Sequence, residues 1–153
     1  MVTRTRLQKE LALARKQVEE DVLFELIHDN IFKWRCVLRG PPDTSYEGCW
    51  FELDIKMPDN YPLYPPAVRF VTRIFHPNIH WDTGEVCVDF LKTNWVATWT
   101  VHSLTRAILV LLANPNADSP LNCDAGNLIR YGDARAFFTM ARMYAYEYGY
   151  ETL

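Results

Sequence analysis

Phe32-Lys33-Trp34-Arg35-Cys36-Val37-Leu38-Arg39 alternates strictly between two faces. Phe32, Trp34, Cys36 and Leu38 share one side, and Lys33, Arg35, Val37 and Arg39 share the other. A period of two with one apolar side is the pattern of a strand laid against a core. Towards the C-terminus, Gly40-Pro41-Pro42-Asp43 supplies a turn. Residues 49–57 then alternate again, with Cys49, Phe51, Leu53, Ile55 and Met57 on the apolar side. A third strand fits Val68–Arg73, so the three read as an antiparallel meander. Between the second and third lies Tyr61-Pro62-Leu63-Tyr64-Pro65-Pro66. Proline has no N–H to give a ladder, so this is a stiff loop, with one X-Pro bond a candidate for the cis form.

Helical periods flank the strands. Residues 4–22 read as one helix, with Leu7, Leu11, Ala14, Val18 and Val22 on a stripe. Residues 101–112 place Leu104, Ile108 and Leu111 on one face, and Asn114-Pro115 stops the run. A short helix fits Cys123–Arg130, with Asn122 as its cap and Gly132 beyond its end. Asp133 caps a last helix running to about Tyr148 that buries Phe137, Met140, Ala141 and Tyr144. No repeat, low-complexity tract or linker interrupts the chain. One helix, three or four strands and then further helices make an α+β domain.

A chain of 153 residues with 49% hydrophobic and 14% aromatic content is not disordered. A domain of this length buries roughly 70% of its unfolded surface and needs no disulfide or metal staple. The net charge of −3 argues against nucleic acid as a partner. Between Arg4 and Lys16, however, five cations (Arg4, Arg6, Lys9, Arg15, Lys16) accompany one anion, Glu10. This is either a solvated helix face or a docking surface for an acidic partner. No apolar run approaches the roughly 20 residues of a membrane span, so membrane association would come through a partner. Without a CxxC pair or a signal segment, the four cysteines suggest a reducing compartment. Glu151-Thr152-Leu153 is not a peroxisomal import tripeptide.

Cys36 and Cys49 fall on apolar strand faces, where a free thiol acts as a small core residue. Cys123 stands beside a helix start without a constellation around it. Cys87 is different. It lies in Gly84-Glu85-Val86-Cys87-Val88-Asp89, after the turn Asp82-Thr83-Gly84 and nine residues beyond the Asn78 of His76-Pro77-Asn78. A thiolate leaves far better than an alkoxide, so a thioester keeps an acyl group activated. Exchange between two thiols is nearly balanced, so the group can be handed on. Glu85 and Asp89 flank Cys87 and no Lys or Arg stands beside it, which suits a carrier thiol better than a protease nucleophile. An amide donor at Asn78 aimed at a developing oxyanion would contribute on the order of 3 kcal/mol. His76 is either a general base or, in the preferred reading, a histidine that hydrogen-bonds the loop into place. A zinc site built on His76, His80, Cys87 and Cys123 is disfavoured, because Pro77 prevents helical alignment of the histidines and no CxxC supports them. No metal is expected. The flanking signatures of a papain-like hydrolase are absent.

Gly40-Pro41, Tyr46-Glu47-Gly48, Tyr61-Pro62, Pro65-Pro66, His76-Pro77-Asn78, Gly84-Glu85-Val86-Cys87, Leu91-Lys92, Trp95 and Pro120-Leu121, in this order and spacing, resemble the ubiquitin-conjugating (E2) enzyme family. The resemblance covers essentially the whole chain. It implies one catalytic core domain over residues 1–153 with the family's α+β fold: an N-terminal helix, a four-stranded antiparallel meander and C-terminal helices. It implies that Cys87 takes ubiquitin from an E1 as a thioester and passes it to a Cys or Lys. No cofactor is implied, ATP being consumed by the E1.

By the same resemblance, Asn78 supports either the loop or the oxyanion, and His76, Asp89, Asp118 and Ser119 support the active site. Many members carry an acid where Ser119 stands, and Asp118 partly replaces it. The surface facing the E1 and a RING-type E3 would combine Arg6 and Lys9 with Leu63, Trp95, Val96 and Ala97. Leu63 replaces a common phenylalanine, and Val96-Ala97 a common Ser-Pro. On the opposite strand face, Trp50 is either half-buried packing or a partner anchor.

Residues 118–124, 126–130, 132–133 and 30–34 resemble the peroxisomal branch of that family. That branch implies a cytoplasmic enzyme held peripherally on the cytosolic face of peroxisomes by a membrane-anchored peroxin, with the import receptor as substrate during receptor recycling. The alternatives are a general cytosolic E2 acting on lysines and an inactive E2-like adaptor.

Overall fold

In the computed structural model, which describes residues 2–153, the alternation at Phe32–Arg39 is the body of the longest strand, β2 (Asn30–Arg39). It is the second strand of a four-stranded antiparallel sheet in sequential order, with β1 (Val22–Ile27), β3 (Trp50–Lys56) and β4 (Ala67–Phe70). Cys36 stands opposite Leu53 and Trp34 opposite Ile55, so the apolar residues of neighbouring strands share one face. Helix α1 (Val2–Lys16) lies at one end of the chain. After the sheet come α2 (Val88–Asn94), α3 (Val101–Ala113), α4 (Cys123–Arg130) and α5 (Ala134–Tyr148).

The core forms between that face and the helices. Leu7 and Leu11 of α1, Leu104, Ile108 and Leu112 of α3, and Phe137 and Ala141 of α5 join Trp34, Cys36, Leu38, Phe51, Leu53 and Ile55 in one buried cluster. Burial pushes the Cys36 thiol far above its ordinary range, and it is inert. Met140 and Tyr144 pack against the cluster while staying partly exposed. Helix α3 starts at a Thr100/Ser103 capping box, α4 at Asn122 and α5 at Asp133. The Tyr61–Pro62 bond is cis.

Three expectations need correction. The first helix stops at Lys16, leaving Val18 81% exposed, and Val22 opens β1 rather than closing the stripe. The polar run Glu19-Glu20-Asp21 is drawn off the helix by α3, where Arg106 takes both carboxylate oxygens of Asp21 and also bonds Glu19. The last strand ends at Phe70, not Arg73, because the N–H groups of Val71 and Thr72 both converge on the Glu52 carbonyl and break the register. The stretch after Cys87, to which the sequence pattern assigns no element, contains α2, with Asp89 in its first turn and Lys92 in its last, as the helix dipole favours. Trp50 is half-buried, paired through its backbone with Tyr150 and covered by Arg39 at 5.9 Å.

Glu10, the lone anion of the basic segment, is nearly buried, and its carboxylate joins three elements. It accepts from Val101 N–H at 2.7 Å, from Tyr61 Oη at 2.7 and 2.9 Å, and from Arg6 at 3.1 Å. That junction sets the position of α3 against α1 and the proline loop.

Candidate active site

Two residues nine apart in sequence meet through a hairpin. Gly84 makes the turn with φ +75°, and a Cβ there would lie 1.9 Å from the Phe70 carbonyl oxygen, so only glycine fits. Its N–H donates to His80 O and its own carbonyl accepts from Phe70 N–H, which fastens the hairpin to β4. Ile79 then bridges Val86, and Cys87 N–H donates to Asn78 O at 2.9 Å. Cys87 caps the start of α2 and is partly exposed, whereas Cys36 and Cys49 are buried. Burial also pushes the Cys49 thiol up. Cys123 is exposed at the start of α4.

Asn78 is a junction. Its carbonyl holds Cys87 on one side, and its side chain holds the loop before α4 on the other. The amide nitrogen donates to Asn116 O at 2.8 Å, and the amide oxygen accepts from Asn116 N–H at 2.9 Å. Because both partners are backbone groups of fixed polarity, the orientation of the carboxamide is unambiguous. Asn116 in turn accepts on its own side-chain oxygen from Asp118 N–H at 2.9 Å, an Asx turn that leads into Asp118 and Ser119, both exposed. Ser119 stands at φ +49°. Pro77 O accepts from the N–H groups of Leu121 and Asn122, closing the loop at its other end.

His76 is fully buried. Its Nδ1 accepts from Asn78 N–H at 3.0 Å, so Nε2 carries the proton and donates to Leu111 O at 2.9 Å. Burial pushes its pKa down to about 4, against a smaller opposing pull from the Leu111 carbonyl. It is a neutral brace from α3 to the loop, not a general base open to substrate. His80 accepts from Asp82 and Thr83 N–H and stabilises the hairpin turn. Among the described residues, no three His, Cys, Asp or Glu side chains gather to hold a metal ion. Asp89 is exposed on α2, beyond Cys87.

The residues expected to face an E1 and E3 form a second area. Lys9, Leu63, Val96 and Ala97 are exposed, Leu63 at 73%. Trp95 lies beneath them, buried, with its Nε1–H donating to Pro62 O at 2.9 Å and its ring against Tyr61 and Trp99. Arg6 is held by Glu10 and donates to Trp99 O at 2.7 Å. Trp95 and Arg6 thus fix the two loops whose outer residues are free to touch a partner. The sequence reading missed Glu10 and Asn116. Asn116-Ala117-Asp118 carries a legible Asx-turn signal; nothing local marks Glu10.

The sequence profile described as "Ubiquitin-conjugating enzyme" matches residues 6–145. The ubiquitin-conjugating enzyme E2 pex4 of Dictyostelium discoideum is 52% identical over 94% of this chain and 97% of its own length. Protein PEROXIN-4 of Arabidopsis thaliana is 51% identical over 93% of this chain and 92% of its own. The crystal structure of the H. polymorpha ubiquitin conjugating enzyme Pex4p in complex with the soluble domain of Pex22p superposes with a TM-score of 0.91 at 32% identity, covering 98% of this chain and 100% of that one.

Proposed function

The chain belongs to the ubiquitin-conjugating enzyme family, and from that membership we propose that Cys87 carries ubiquitin as a thioester and delivers it to a protein of the peroxisomal import machinery. The observation that carries this reading is the junction at Asn78, which joins a partly exposed thiol to the loop bearing Asp118 and Ser119. In charging, the Cys87 thiolate attacks the ubiquitin thioester of the E1 and expels the E1 thiolate. In transfer, an acceptor thiolate or amine adds to the thioester carbonyl, and the tetrahedral intermediate collapses by expelling the Cys87 thiolate. An amine acceptor also gives up a proton to solvent. No metal or cofactor takes part at this chain; ATP is spent at the E1.

The acceptor side supports a cysteine. Ser119 has no carboxylate to draw a proton from an amine, which leaves that help to Asp118 alone, and a lysine must lose a proton from a group of pKa about 10.4, against about 8.5 for a cysteine. The import receptor, modified during its recycling, is the acceptor we favour. Lys9, Leu63, Val96 and Ala97 would meet the E1 and a RING-type E3 in turn. No helix among the described residues is long and apolar enough to cross a membrane, so attachment to the peroxisome would rest on a membrane-anchored peroxin. The complex of the H. polymorpha relative with the soluble domain of Pex22p supports such a partner.

The test is charging with E1, ubiquitin and ATP, read on a non-reducing gel. A thiol-sensitive adduct that disappears in Cys87→Ala is expected. No adduct with an active E1 would favour an adaptor instead. Absence of peroxisomal enrichment of the tagged chain, together with import receptors that stay modified after its depletion, would remove the peroxisomal part of the reading.

A further inference from the structure

Helix α4 does more than follow the active-site loop; it carries the loop on one face. Asn122, Gly126 and Arg130 are spaced by four residues and so share a stripe on the helix. Gly126 and Arg130 engage the segment Pro115–Leu121 directly, and Asn122 fixes the end at which that segment enters the helix. Asn122 caps the helix with its side chain while its own N–H, with that of Leu121, is tied to Pro77 O. At Gly126 the helix comes so close to the loop that a Cβ would lie 2.7 Å from Pro120 Cγ and 2.8 Å from Pro120 Cβ. From the last turn, Arg130 reaches back and donates to Ala117 O at 2.9 Å. That carbonyl belongs to the residue between Asn116, which Asn78 clasps, and Asp118. The loop is therefore held from inside by Asn78 and from outside by Arg130, on adjacent residues.

We propose that Arg130 is a positioning residue for the transfer step, fixing the backbone at Ala117 so that Asp118 and Ser119 are presented correctly to the incoming nucleophile. The inference rests on the transferase reading above. It does not involve the E1-facing residues, which lie on α1 and the loops at Leu63 and Trp95–Ala97, so charging should not sense Arg130. The contact is exposed to solvent, so it carries the weight of an ordinary hydrogen bond, roughly a three- to tenfold effect.

The experiment is a single-turnover discharge. Wild type, Arg130→Ala and Arg130→Lys are loaded with ubiquitin, the E1 is quenched, and loss of the thioester is followed with free cysteine and with free lysine. Arg130→Ala is expected to charge at the wild-type rate and to discharge about three- to tenfold more slowly to both acceptors. Arg130→Lys, which keeps a cationic donor on a flexible stem, is expected to recover most of that loss. Wild-type discharge by Arg130→Ala overturns the proposal. So does an equal fall in charging and discharge, or a defect that Lys leaves untouched. Failure of the wild-type chain itself to accept ubiquitin from an active E1 overturns the transferase reading, and this inference with it.

Discussion

Asn78 carries the densest set of constraints of any residue near the thiol. Its backbone positions Cys87, its N–H is held by His76, and both atoms of its carboxamide are used by Asn116. Asn78→Ala keeps the backbone bonds and removes the two to Asn116. Leaving those groups unpaired should cost about 1–3 kcal/mol of stability. In the proposed reaction, charging would depend on the thiol reaching the E1, whereas discharge would also need the loop and any donor to the oxyanion. Discharge should therefore fall at least tenfold more than charging, since a single oxyanion donor alone is worth about a hundredfold or more. Parallel rate assays on one preparation check this, and equal losses would confine Asn78 to loop stability. Cys87 and Asn78 could be singled out because one thiol stands off the apolar strand faces, after a glycine turn, and Pro77 restrains the amide upstream. The clasp to Asn116 was not, because it joins residues 38 apart and exists only once α3 has turned the chain back.

At the scale of elements, the junction of α1, α3 and the proline loop rests on one carboxylate. Glu10 accepts from the first N–H of α3, that of Val101, from Tyr61 and from Arg6, with its side chain only 9% exposed. Glu10→Ala would leave Val101 N–H and Tyr61 Oη without this partner and should lower stability by about 2–4 kcal/mol. Glu10→Gln retains an acceptor and loses the ion pair, so about half that loss is expected. Urea titrations with an unchanged slope would measure both. The same elements show why the helix–strand boundary was misread. Ala14, Val18 and Val22 satisfy a period of 3.6, yet Val22 equally well begins a strand with Leu23 to Ile27. Only the partners of Glu19 and Asp21 on α3, and the pairing of Val22 with Leu38, decide between the two. The strands β2 and β3 were legible because both faces obey one period over seven or more residues. The helix α2 was hidden by its length, only seven residues, and by the lack of any side-chain cap at its start.

For the molecule as a whole, the buried imidazole of His76 makes stability depend on pH in a window that can be isolated. Its pKa falls from an ordinary 6.5 to about 4 on folding, because burial disfavours the charged ring. The unfolded chain therefore binds a proton at a pH where the native one does not. Stability is complete above 6.5 and declines as the pH drops towards 4, by about 3 kcal/mol in all. The carboxylates of Glu19 and Asp21 act in the same direction but lower down. Arg106 holds Asp21 below its ordinary 3.8, and Arg106 with His102 outweighs desolvation to hold Glu19 below 4.5, so their contribution is lost only as the pH falls through those values. Between pH 6.5 and 4.5 the slope should belong largely to His76. His76→Gln is expected to be less stable at neutral pH, having lost the Nδ1 acceptor for Asn78 N–H, and to show a much flatter slope across that window. Urea midpoints at about pH 7 and pH 5 for both proteins measure the difference; parallel declines would assign the proton to another group. Protonation at Nδ1 would set a donor against the N–H of Asn78, so the first structure to yield in acid should be the loop that carries the junction to Cys87.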